Sequence, residues 1–136
     1  MHNQLFVRWF GGVAILIGVL QLLGVRENLF YVIPWYDWPM HFLGGFWIGL
    51  IFAVCSVSFF QTRSSSVRVS VILIGTITVG VLWEFFELYL GITALSDLGY
   101  HFDTFHDLLM DALGGITAAY LSVAAKRQNP FSLTIR

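Results

Sequence analysis

Four apolar stretches dominate the chain, at about Leu5–Val25, Met40–Phe60, Val69–Leu90 and Phe105–Ala125. Crossing a bilayer core as a helix takes ~20 mostly apolar residues, and each stretch meets that length. Within them the few polar and small residues recur three and four apart, which gathers them on one helix face. The third stretch carries Thr76, Gly80, Glu84, Glu87 and Gly91 in this way, and the fourth Asp107, Asp111, Gly114, Ala118 and Ser122. The second offers Asp37, His41, Gly45, Gly49 and Ser56, and the first Gly11, Ala14, Gly18 and Gln21. Small residues let membrane helices approach closely. The pattern predicts an all-α fold, a four-helix transmembrane bundle occupying residues 1–136 as a single integral membrane domain.

Composition agrees. Of 136 residues, 57% are hydrophobic and 11% charged, with a mean hydropathy of +0.78, well away from soluble domains. The first stretch has a weak basic start at Arg8 but no small-x-small cleavage site near Gln21–Arg26, so it is expected to be retained as a helix. The single Cys55 cannot form an internal disulfide. No basic cluster suits nucleic acid, which leaves membrane lipid, and a second copy of the chain, as the expected partners.

Charge then orients the bundle. Arg8, Arg63, Arg68, Lys126, Arg127 and Arg136 fall at one end and Arg26 alone at the other. By the positive-inside rule both termini and the Gln61–Arg68 loop are expected in the cytoplasm. The loops 26–39 and 91–104 then face outward, with Tyr31, Trp35, Tyr36, Trp38, Tyr89 and Tyr100 as an interfacial aromatic belt. All eight acids, Glu27, Asp37, Glu84, Glu87, Asp97, Asp103, Asp107 and Asp111, lie in the outer half, with His41, His101 and His106.

An internal repeat organises these residues. Asp37-Trp38-Pro39-Met40-His41-Phe42-Leu43-Gly44-Gly45 and Asp107-Leu108-Leu109-Met110-Asp111-Ala112-Leu113-Gly114-Gly115 are identical at five of nine positions. The ends Leu23-Gly24-Val25 and Leu90-Gly91-Ile92 also correspond. The bundle is therefore expected to comprise two degenerate two-helix repeats related by an axis along the membrane normal, with a site at their interface.

The acids pose an electrostatic problem. Asp37, Glu84, Glu87, Asp107 and Asp111 converge with no Lys or Arg among them. One charge at the centre of a membrane helix costs ~3 kcal/mol even on permissive scales. Either the carboxyls are protonated and bonded to each other, or a cation sits among them. Asp37 and His41 are i, i+4; Asp107 and Asp111 repeat that spacing; Glu84 and Glu87 add an i, i+3 pair. Helix bundles hold metals with Glu and His projected from facing helices in this manner. Oxygen-rich donors with one imidazole suit Mg²⁺, Mn²⁺, Fe²⁺ or Zn²⁺. The expected ligand set is Asp37, His41, Glu84, Glu87, Asp107 and Asp111.

Simpler roles compete for single residues. Asp37 before Pro39, and Asp103, fit helix N-caps, and Thr104-x-x-Asp107 fits a capping box. A lone His41 fits a hydrogen-bonded interior histidine, and His101 and His106 fit the interface. Glu84, Glu87 and Asp111, one to two turns inside their helices, have no such explanation.

The runs Asp37-x3-His41-Phe42-x-Gly44, Trp83-Glu84-x2-Glu87 and Asp103-Thr104-x2-Asp107-Leu108-x2-Asp111-x2-Gly114 resemble the YjdF-like family of small bacterial inner-membrane proteins, and more distantly VanZ-like proteins. The resemblance runs from about Tyr36 to Tyr120. It implies a multi-pass protein of the bacterial inner membrane with a polar outer site, and supplies no reaction.

Three functions remain open. One is a metal-dependent hydrolase of a lipid or lipid-linked substrate, with Glu84 or Glu87 as catalytic base and His41, Asp107 and Asp111 as ligands. Serine or cysteine catalysis is disfavoured, because Cys55, Ser56 and Ser58 lie far from the acids, and only Arg26 is available to clamp a phosphate. Another is proton- or cation-coupled transport, or headgroup binding without catalysis. Against transport, the polar stripe stops halfway and the cytoplasmic half offers only Gly, Ala, Ser and Thr. A third is an accessory membrane protein with neutral, mutually bonded acids.

Overall fold

The computed structural model describes residues 2–59 and 64–128, with side chains for 9–55 and 64–124. Phe60, Arg63 and Arg136, and the side chains of Arg8, Ser56, Ser58, Lys126 and Arg127, lie outside the described residues. The described chain forms helices α1 (His2–Arg26), α2 (Leu29–Val32), α3 (Asp37–Phe59), α4 (Ser65–Leu90) and α5 (Tyr100–Gln128), with no strand. Four are long and apolar enough to span a membrane, over Trp9–Arg26, Asp37–Cys55, Ser65–Leu90 and Tyr100–Ala124. The all-α, four-span expectation holds, with the short α2 added in the first connection.

The helices start earlier than the apolar pattern predicts, because first turns are polar. Asp37 is already helical, and its side chain turns toward His41. α5 begins at Tyr100 rather than 105, on Gly99 at φ 93, whose carbonyl accepts the N–H groups of Phe102 and Asp103. Asp103 and Thr104 therefore lie within the helix, and the capping box Thr104-x-x-Asp107 does not form. Gly91 belongs to a cap rather than to a packing stripe. It sits at φ 69, and Ile92 N–H closes back on the Glu87 carbonyl at 3.0 Å, a turn in which a Cβ would be strained.

α3 and α5 lie side by side in the same direction, with α4 antiparallel across both. Glycine sets the spacing. A Cβ on Gly45 would strike the Asp111 backbone, and one on Gly114 would strike Phe42 O and Phe46 N. One turn on, Gly49 faces Ala118 and Gly115 faces Thr76. Gly45-x-x-x-Gly49 against Gly114-x-x-x-Ala118 is the small-residue seam by which membrane helices gain close van der Waals contact. Below it Ile72, Ala53 and Ala119, 0–5% exposed and flanked by Phe52 and Val69, close the centre with an apolar layer.

The repeat shapes α3 and α5 but not their partners. α4 packs on both, whereas α1 packs on α3 and α2. Its contacts include Phe10 stacked on Trp47 at 4.8 Å, the Tyr36 hydroxyl on Leu20 O at 2.7 Å, and Gly24 against Phe30 and Tyr36. The expected stripe on the first helix is not buried: Gly11 and Gly18 face open space. The reason lies in the partner surface, since Trp47 of α3 and Tyr36 just before it offer α1 aromatic contacts and no seam of small residues.

Candidate metal centre

The glycine seam places His41 of α3 between two aspartates of α5. Nδ1 lies 3.3 Å from Asp111 Oδ2, a long hydrogen bond. Nε2 lies 3.9 Å from Asp37 Oδ2, one turn back on α3, and 4.0 Å from Asp107 Oδ1. A carboxylate only accepts, so Nδ1–H donates to Asp111, and in the neutral imidazole the Nε2 lone pair is left toward Asp37 and Asp107. One ligand atom each from Asp37, His41 and Asp107 falls within 4.8 Å of the others. α4 makes room for this: a Cβ on Gly80 would strike Asp111 Oδ2.

His41, Asp107 and Asp111 are buried, at 7%, 2% and 6% exposure, while the Asp37 side chain, at 30%, marks the outer edge. Asp107 Oδ1 is fully enclosed and has no hydrogen-bond partner. An unsatisfied buried acceptor costs about 1–3 kcal/mol, and more when charged. Among the described residues no Lys or Arg relieves it, since Arg26 is exposed and pairs with Glu27 at 3.2 Å.

The two glutamates part company. Glu84 is buried and accepts the Thr104 hydroxyl at 2.8 Å on Oε2, while its enclosed Oε1 has no partner. Glu87, half-buried, accepts Trp83 Nε1–H at 2.9 Å on the exposed side of α4. Neither joins the group whose ligand atoms converge.

A family model described as "Predicted membrane protein (DUF2238)" matches residues 5–128. The chain belongs to this family. The match is consistent with the YjdF-like resemblance, and it covers the first helix as well. No curated protein and no solved structure matches the chain. Membership of DUF2238 thus establishes a membrane protein, and the chemistry rests on the side chains themselves.

Two parts of this DUF2238 protein escape sequence inspection. Trp38 and His106 stack at 5.1 Å across the acidic end of the α3–α5 seam, and His106 also meets Phe102 at 4.1 Å. His106 Nδ1–H bonds the Phe102 carbonyl at 2.7 Å, so it braces the mouth of the site. Arg68, grouped by sequence with the loop cations, is instead 2% exposed and donates from Nη2 to Ser122 at 2.9 Å. This corrects the expectation that the half of the bundle away from the acids offers only Gly, Ala, Ser and Thr. Its signal was present: Arg68, Ile72, Thr76, Gly80 and Glu84 are spaced by four along the one buried face of α4.

Proposed function

We propose that this protein binds a divalent cation in the outer half of the bundle, through Asp37, His41 and Asp107, with Asp111 orienting the imidazole. The observation that carries it is Asp107 Oδ1, buried, unpartnered and 4.0 Å from the Nε2 of His41. Bonds of about 2.1 Å put neighbouring ligand atoms about 3 Å apart, so an ion would draw the three groups inward by about 1 Å. Two carboxylates and one imidazole suit Mg²⁺, Mn²⁺, Fe²⁺ or Zn²⁺ and leave coordination positions for a substrate. Asp111 on Nδ1 fits the carboxylate–histidine–metal arrangement that holds a ligating ring in place.

In this reading the site serves hydrolysis of a lipid or lipid-linked substrate at the outer leaflet of a bacterial inner membrane. A bound divalent ion supplies Lewis acidity toward a carbonyl or phosphoryl oxygen. Glu84, with Oε1 free, is the base, whereas Glu87 is occupied by Trp83. The Ile72, Ala53 and Ala119 layer favours chemistry at one face over passage through the bundle, the ground for preferring hydrolysis to transport. The VanZ-like likeness belongs to the same proposal.

Calorimetric titration of chelator-treated, detergent-purified protein with Mn²⁺ or Zn²⁺ tests the binding claim. The expected result is one site in wild type, weakened at least about 100-fold in Asp107→Asn. Equal heats from both proteins would remove the site.

A further inference from the structure

A second charged group is buried at the opposite end of the bundle, and among the described residues no carboxylate lies near it. Arg68, in the first turn of α4, is 2% exposed; Nη2 donates to Ser122 at 2.9 Å, and Nε is enclosed without a partner. A guanidinium does not shed its proton and carries five N–H donors. A neutral hydroxyl satisfies one of them and none of the charge. A buried charge persists only when paired, and removing one from water costs several kcal/mol.

The sequence places no acidic side chain at this end. No Asp or Glu stands between Asp37 and Glu84, nor after Asp111, so every acidic side chain belongs to the other end of the bundle. Arg68 also does not extend to water, as long cationic side chains near helix ends ordinarily do. It lies at the end of the span Ser65–Leu90, the depth at which headgroup phosphates begin. Ser64 caps α4 on Val67 N–H at 3.4 Å, and the positive end of the helix adds to the field around Arg68.

We infer that Arg68 and Ser122 form a phosphate site between α4 and α5, filled by the headgroup phosphate of an anionic lipid in the leaflet away from the acidic cluster. Basic pockets between membrane helices bind phospholipid headgroups by this chemistry, and a planar guanidinium matches two phosphate oxygens at once. The carboxylate centre and the guanidinium site lie on either side of the Ile72 layer, so they take ligands of opposite charge from opposite leaflets. This inference stands independently of the metal proposal.

Thermal unfolding of the full chain in neutral detergent, with added phosphatidylglycerol, phosphatidylcholine or inorganic phosphate, tests it. Phosphatidylglycerol is expected to raise the wild-type midpoint by about 5 °C, and Arg68→Gln to lose at least about two-thirds of that shift. Ser122→Ala, a small change that preserves packing, should lose a smaller part, and Arg68→Lys an intermediate one; these report even if Arg68→Gln does not fold. A shift reproduced by inorganic phosphate alone assigns the site to free phosphate rather than lipid. Shifts equal in wild type, Arg68→Lys and Ser122→Ala, or no response to any phosphate, would overturn the inference.

Discussion

Gly45 lies directly against the backbone of Asp111, so α3 and α5 pack closely at the level of the polar centre. The hydrogen to which the Gly45 side chain is reduced fixes how near His41 comes to Asp107 and Asp111. Packing and chemistry are one feature here.

The first prediction follows from that contact. Gly45→Ala puts a methyl group into the Asp111 backbone and is expected to destabilise the protein by about 1–3 kcal/mol and to weaken Mn²⁺ binding about tenfold. Gly44→Ala, where a Cβ meets nothing within 4 Å, should neither destabilise the protein nor weaken binding. Thermal unfolding and titration of the pair check this.

Asp111 and Asp107 should behave differently although both are buried beside His41. Asp111→Asn leaves the three ligands in place and loosens the ring, for a loss of about 10–100-fold in metal affinity. Asp107→Asn removes a ligand and should cost more. Equal losses would place Asp111 on the ion itself.

Glu84→Gln keeps the ligand set and is expected to change Mn²⁺ affinity by less than about threefold while abolishing hydrolysis of any substrate found. Thr104→Val leaves Glu84 Oε2 unpaired and should lower stability by about 1–3 kcal/mol. Titration and unfolding of both variants separate a base beside the ion from a ligand to it.

Acid should release the ion. Binding requires a neutral imidazole and ionised Asp37 and Asp107, so protons compete at every ligand and apparent affinity falls as pH is lowered. Titrations at a series of pH values are expected to show affinity rising with pH, with proton release on binding. Affinity independent of pH would argue against this ligand set.

The sequence carries the helices, the seam and the ionisable groups, because span length and three-to-four spacing are local properties. Gly45 and Gly114 were legible as packing residues for the same reason. What escaped depends on which helices meet. α1 repeats the pattern of α4 at Gly24 and Gly91, yet Gly24 packs on Phe30 and Tyr36 while Gly91 turns the chain at φ 69. Glu84 and Glu87 share a stripe in sequence, but one faces Thr104 of α5 and the other Trp83 of its own helix. Arg68 looked like a loop cation because composition reports an end of the chain's polarity and not enclosure by Ser122. Side-chain direction within one helical face decides such cases.

The central claim is that Asp37, His41 and Asp107 hold a divalent ion, and elemental analysis of detergent-purified protein tests it most directly. Wild type, prepared without chelator, is predicted to carry about one divalent metal ion per chain, and the folded Asp107→Asn and His41→Gln variants less than about one-tenth of that. Wild type free of metal, including after incubation with Mg²⁺, Mn²⁺, Fe²⁺ and Zn²⁺, would contradict the account.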